Sequence, residues 1–130
     1  MDGADVFIGV SVGGLLEEHD LARMANAAIV FALANPDPEI DPDIARRHAA
    51  VVATGRSDQP NQINNVLAFP GIIRGLLDSG ARELTMKAQL AAAQAIADAV
   101  SEPERDAEHI VPDVFAEHLA PAVAQAVRDS

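Results

Sequence analysis

Apolar and polar positions change period twice along this chain. Val6–Val10 is a continuous apolar run behind Asp5, the pattern of a strand buried on both faces of a parallel sheet. Gly13-Gly14 break the run. Residues 17–25 place Leu21 and Met24 at helical spacing, and Glu17, Glu18 and Asp20 sit near the start, where a helix dipole favours negative charge. Ile29–Ala34 is a second apolar run of strand length. It stops at Asn35-Pro36, because proline has no N–H with which to continue a ladder. Asp41 as cap and Pro42 at the first position open a short helix over Pro42–His48. Val51–Thr54 is a third strand, ended by Gly55.

Beyond residue 69 the period is helical. Pro70–Asp78 predicts a helix closed by Ser79-Gly80. Thr85 caps a long helix over 85–100, whose inward face is read as Met86, Leu90, Ala93, Ala97 and Val100. Residues 101–111 form a charged connector. A last helix over 112–127 turns Phe115, Leu119, Val123 and Ala126 inward. Strands alternating with helices predict an α/β fold with a parallel sheet of about three strands, followed by C-terminal helices.

Composition narrows the setting. At 130 residues the chain predicts one domain at most. Its 49% hydrophobic content is mostly Ala, Val, Leu and Ile, with no Tyr or Trp, so the core is built from small aliphatic side chains. The Met-Asp-Gly-Ala-Asp start has no basic segment of a signal peptide, and the longest apolar run, Ala27–Ala34, is too short to span a bilayer. We expect a soluble, cytoplasmic protein. The absence of Cys excludes disulfides and thiolate metal sites. A net charge of −11 argues against nucleic acid and anionic membranes as partners. Eight Arg and one Lys against twelve Asp and eight Glu fit either a salt-adapted source or GC-rich coding.

Candidate chemistry is concentrated in amides. Asn61, Gln62, Asn64 and Asn65 precede an apolar run, and each carries both donor and acceptor atoms. They either meet a ligand or serve a turn and a helix cap. Asn35 belongs at the C-terminal end of a strand, where ligands bind in open α/β sheets, or else forms a turn before Pro36. Asp37, Glu39, Asp41 and Asp43 alternate like a calcium loop, but Pro42 and His48 occupy the positions that need Gly and Glu. His19, His48, His109 and His118 have no metal-ligand spacing and are read as surface residues. Arg56 suits either a substrate carboxylate or a salt bridge to Asp58.

Three motifs in order carry a family resemblance: Val-Phe-Ile-Gly-Val-Ser; Phe-Ala-Leu-Ala-Asn-Pro-Asp-Pro-Glu-Ile; and Ala-Thr-Gly-Arg-Ser-Asp-Gln-Pro-Asn-Gln-Ile-Asn-Asn-Val-Leu-Ala-Phe-Pro-Gly-Ile. Over nearly the whole chain the sequence resembles the malic enzymes. The resemblance implies oxidative decarboxylation of malate to pyruvate and CO2 by the complete enzyme, with NAD or NADP and a divalent metal, Mg or Mn. It implies that Asn35 and Asn65 contact the substrate. It also implies that Gly9, Val10, Ser11, Asn35 and Asn64 contact the cofactor. Gly13-Gly14 replace the more usual Pro-Gly of that family, and Leu16 stands where a capping Thr is usual.

The family's catalytic Tyr and Lys, its acidic metal ligands and its Gly-rich phosphate loop have no counterpart in these residues. There is no Tyr, the one Lys is Lys87 on a helix position read as exposed, and Gly9–Gly14 lacks G-x-G-x-x-G spacing. The resemblance therefore implies the second half of a Rossmann-type sheet, with no catalytic residue and no metal ligand of its own. Its expected partner is an upstream half or a separate subunit, with oligomers possible. On that basis Val6–Val10 should be an open edge strand, and the chain should be marginally stable by itself. The rival reading is a non-catalytic remnant or subunit module.

Overall fold

The computed structural model describes residues 1–130. The chain forms two compact units, Met1–Ile63 with Asp106–Glu108, and Asn64–Arg105 with His109–Ser130.

The first unit is an open parallel sheet. Strands β1 (Val6–Gly9), β2 (Ala28–Ala32) and β3 (Ala49–Thr54) lie in the order β1-β2-β3. Val6 stands opposite Ile29 and Gly9 opposite Ala32, while Ile29 stands opposite Val51 and Ala32 opposite Thr54. The central strand alternates buried and half-buried residues, with Ala28, Val30 and Ala32 fully enclosed. Leu21, Val30, Ala32, Ile40, Ala45 and Val52 form the core on one face, with Phe7, Leu16 and Met24 packed against them. β1 is an edge strand, as expected, and its Val6 and Ile8 remain exposed.

The short helices are shorter than the periodicity predicts. α1 (Glu18–Leu21) is one turn, opened by the Asp20 carboxylate accepting from the Glu17 N–H at 3.0 Å. Turns follow it, and Ala27 adopts φ 60°, which no helix can contain. α2 (Pro42–Ala45) begins as read, with the Asp41 carboxylate accepting from the Asp43 N–H at 2.8 Å. It then tightens, since His48 N–H donates to the Ala45 carbonyl three residues back.

The second unit packs α3 (Phe69–Ser79), α4 (Met86–Asp98) and α5 (Leu119–Arg128) around Leu67, Ile72, Ala88, Ala92, Leu119, Val123 and Val127. Gly80 closes α3 at φ 68°, and the Thr85 hydroxyl caps α4 by accepting from the Ala88 N–H at 3.1 Å. Gly71 and Gly75 lie one turn apart on α3 and face α5. A Cβ at Gly71 would stand 2.5 Å from Val123 Cβ, and one at Gly75 would stand 2.5 Å from the Ala124 carbonyl oxygen. The two helices therefore touch nearly backbone to backbone.

Two expectations are corrected in this unit. α4 buries Ala88 and Ala92, with Ala95, Ile96 and Ala99 beside them, whereas Met86 and Leu90 are 67% and 64% exposed and Ala93 and Ala97 also face solvent. The sequence reading placed the largest side chains inside, but α4 packs into the core with its alanine face. Val100 is buried as read. The last helix starts at Leu119 rather than 112, and Phe115 is 89% exposed instead of inward. The Asp113 carboxylate accepts from the Phe115 N–H at 2.7 Å, a local turn that competes with helix.

Two substitutions separate these forces. Gly71→Ala should destabilise the chain by about 1–3 kcal/mol through overpacking against α5. Leu90→Ala should stay within about 0.5 kcal/mol, as for an exposed site. Urea unfolding followed by circular dichroism reads both, and equal losses would restore the original inward face.

Candidate functional site

The C-terminal ends of β1 and β2 carry two loops that bond to each other. Gly14 N–H donates to the Pro38 carbonyl at 3.0 Å, and Leu16 N–H to the Glu39 carbonyl at 2.9 Å. Gly13 lies against Asp37, where a Cβ would come within 2.7 Å of the Asp37 Cβ. The Asn35-Pro36 peptide is cis.

Glu39 joins these loops at their base. Its residue is fully buried, and its carboxylate accepts from the Ser11 N–H at 2.8 Å, the Ser11 hydroxyl at 3.1 Å and the Ala34 N–H at 3.0 Å. Burial by itself would raise the Glu39 carboxyl. The N–H groups of Ser11, Ala34 and Glu39 itself, together with the Ser11 hydroxyl, outweigh that and hold it below the ordinary glutamate value. The sequence reading weighed Glu39 only as part of a calcium loop. The available signal was an acid set between Pro38 and Ile40 in the loop that follows the second strand.

The structure brings four of the predicted residues to this rim. Gly9 is buried at the end of β1, while Val10, Ser11 and Asn35 are exposed. Gly9 has a local reason to be glycine, since a Cβ there would fall 2.5 Å from the Glu39 carboxylate. Asn64 and Asn65 belong to the second unit. Asn64 caps a short 3-10 turn, Asn65–Leu67, with its side chain accepting from the Val66 N–H at 3.1 Å. Its capping role is thus local, and its remaining amide hydrogens stay available. Asn65 is exposed at the head of that turn, which Leu67 anchors in the core.

The other polar candidates have structural duties. Asn61 is buried at φ 55° and its amide donates to the Val52 carbonyl at 3.0 Å and the Ala107 carbonyl at 2.8 Å. Arg56 makes a double hydrogen bond to Asp58 at 2.8 and 2.6 Å, the salt-bridge alternative. His48 meets Glu18 at 3.0 Å, and His118 meets the Ala99 carbonyl at 3.3 Å. A groove of about 500 Å³ between α3 and α5 is walled by Arg74, Asp78, Gln125 and Arg128, and no predicted site residue lines it.

Ser11 and Asn35 thus bring a hydroxyl and a carboxamide side chain to the exposed rim. No group of three His, Cys, Asp or Glu is placed to hold a metal ion. No helix is long and apolar enough to cross a membrane.

The buried carboxylate carries a pH dependence. Its folded value lies below its unfolded one, so its contribution to stability is complete above the ordinary glutamate range and is lost as pH falls through the folded value. Urea melts between about pH 7 and pH 3.5, bracketing the usual carboxylate range, should show falling stability, with a shallower fall in Glu39→Gln. Parallel falls in the two proteins would mean that other carboxylates set the acid limit.

Comparison with known proteins agrees with this architecture. A family described as "Malic enzyme, NAD binding domain" matches residues 3–130. The NAD-dependent malic enzyme of Geobacillus stearothermophilus is 57% identical over 96% of this chain and 26% of its own length. The NADP-dependent malic enzyme of Halomonas elongata is 45% identical over 100% of this chain and 36% of its own. The crystal structure of malic enzyme from Pyrococcus horikoshii superposes with a TM-score of 0.92 at 45% identity, over 98% of this chain and 30% of that one. The chain spans about a quarter to a third of the length of these relatives. By both sequence and fold, the chain belongs to the malic enzyme NAD-binding domain family.

Proposed function

We propose that this chain supplies cofactor and malate contacts to an NAD(P)-dependent malic enzyme that oxidises and decarboxylates malate to pyruvate. The observation that carries the reading is the rim at the ends of β1 and β2. There Ser11 and Asn35 are exposed on loops bonded to each other, at the end of a parallel sheet where ligands bind. When bound, the nicotinamide accepts a hydride. The residues of this chain orient and exclude. Asn35 offers a carboxamide to both malate and cofactor, Asn65 takes the malate carboxylate or hydroxyl, and Asn64 lies by the cofactor. Gly9, Val10 and Ser11 form the loop against it.

The proton-transfer groups and the Mg or Mn ligands belong, on this reading, to residues outside the chain. Support comes from the absence of Tyr from these residues and the exposed position of Lys87 on α4. The upstream half of the enzyme, or a separate subunit carrying it, is the partner. The exposed Val6 and Ile8 on edge strand β1 suit strand addition by such a partner. The same reading keeps the protein in the cytoplasm.

Residues 1–130 alone should show no malate-dependent reduction of NAD or NADP with Mg²⁺ or Mn²⁺, and adding the upstream half should restore it. In the restored enzyme Asn65→Ala should raise the KM for malate about tenfold, equivalent to about 1.4 kcal/mol of lost binding, and change the cofactor KM far less. Turnover by the chain alone, or equal changes in both constants, would overturn this division of roles.

A further inference from the structure

Glu39 does more than fill the base of the rim. An ionised carboxylate only accepts hydrogen bonds, so in its 3.1 Å bond to Glu39 the Ser11 hydroxyl is the donor. The Ser11 N–H is spent on the same oxygen, Oε1, at 2.8 Å. Oε2 takes the Ala34 N–H at 3.0 Å, the residue directly before Asn35. One carboxylate thus spans the loop after β1 and the loop after β2. Gly9 leaves room for it, since any Cβ there would overlap the carboxylate carbon. An apolar side chain of equal size would fill the same space and leave the Ser11 and Ala34 N–H groups without their acceptor.

We propose that Glu39 is a positioning residue. It fixes Ser11 and Asn35 relative to each other and leaves the Ser11 hydroxyl oxygen as an acceptor facing the ligand. The group that meets Ser11 is then a neutral donor, a ribose hydroxyl or a carboxamide N–H. A phosphate or carboxylate there would face an oxygen with no proton to give and a buried negative charge behind it. The identity of the ligand rests on the function proposed above, while the orientation of Ser11 does not.

The test is NMR of the ¹⁵N-labelled chain, with nicotinamide mononucleotide and inorganic phosphate as probes. In the unsubstituted chain, nicotinamide mononucleotide should shift the Ser11 and Asn35 amides, and inorganic phosphate should leave Ser11 unmoved. Glu39→Gln replaces one acceptor oxygen by a donor of the same size. It should speed amide exchange at Ala34 or Ser11 by about tenfold, with the β2–β3 ladder unchanged, and weaken the nicotinamide mononucleotide response about tenfold. Ser11→Ala removes a hydroxyl from an exposed residue and should weaken the same response without altering the ladder.

Unchanged exchange in Glu39→Gln overturns the proposal, as does phosphate binding at Ser11. Loss of the whole ladder, or failure of Glu39→Gln to fold, assigns Glu39 a structural role only and also overturns it, as does a full response in Ser11→Ala. If nicotinamide mononucleotide moves nothing in the unsubstituted chain, the proposed ligand is wrong, and the exchange rates at Ser11 and Ala34 still decide the role of Glu39.

Discussion

A single buried negative charge organises the loops at the strand ends of the first unit. Placing a carboxylate out of water is costly unless its oxygens are hydrogen-bonded. Glu39 meets that demand with donors from two loops that are far apart in sequence but adjacent in the sheet. Much else follows from this arrangement. Residue 9 must be glycine, the loop after β1 must approach through Ser11, and the backbone must fold back so that Gly14 and Leu16 reach Pro38 and Glu39. The parallel sheet supplies the starting geometry, since it brings the ends of β1 and β2 to the same side.

The second unit solves a different problem with the opposite chemistry. It holds no comparable buried charge. Its cohesion comes from contact between small residues, with Gly71 and Gly75 against Val123 and Ala124 and the alanine face of α4 completing the core. Short side chains lose little conformational freedom on burial, so close packing compensates for their modest apolar area. The large apolar side chains that such packing leaves outside, Met86 and Leu90 on α4 and Ile73 and Leu77 on α3, lie on solvent-facing surfaces of the isolated chain.

The strands were legible because their signals are local. A short apolar run ended by Gly or Pro is enough to place Val6–Gly9, Ala28–Ala32 and Ala49–Thr54 within a few residues. Caps were legible for the same reason, and Asp41, Thr85 and Gly80 act where the residues imply. The inward face of α4 was not, because both of its faces carry apolar residues and only packing against the rest of the unit selects Ala88 and Ala92. Phe115 failed through the same dependence on context, with a local Asp113 turn overriding a helical spacing. At the rim, the motif and the strand end placed Ser11 and Asn35, and both are exposed there. Glu39 was visible as an acid and not as a hub, since its partners lie 28 and 5 residues away and no periodicity links them.

The hydrogen bond from Asn61 to Ala107 has a kinetic consequence. It joins residues 46 apart and draws 106–108 back into the first unit after the chain has built much of the second. The intervening segment is therefore a closed loop rather than a tail. Closing a flexible loop of that length costs entropy that grows only logarithmically with the number of free links. Helices α3 and α4 lie inside it and are held by near-neighbour bonds. Once they form, the loop contains fewer flexible links, and the polypeptide has a shorter search to bring Ala107 to Asn61. The order of events this favours is helices first and the long-range tie afterwards.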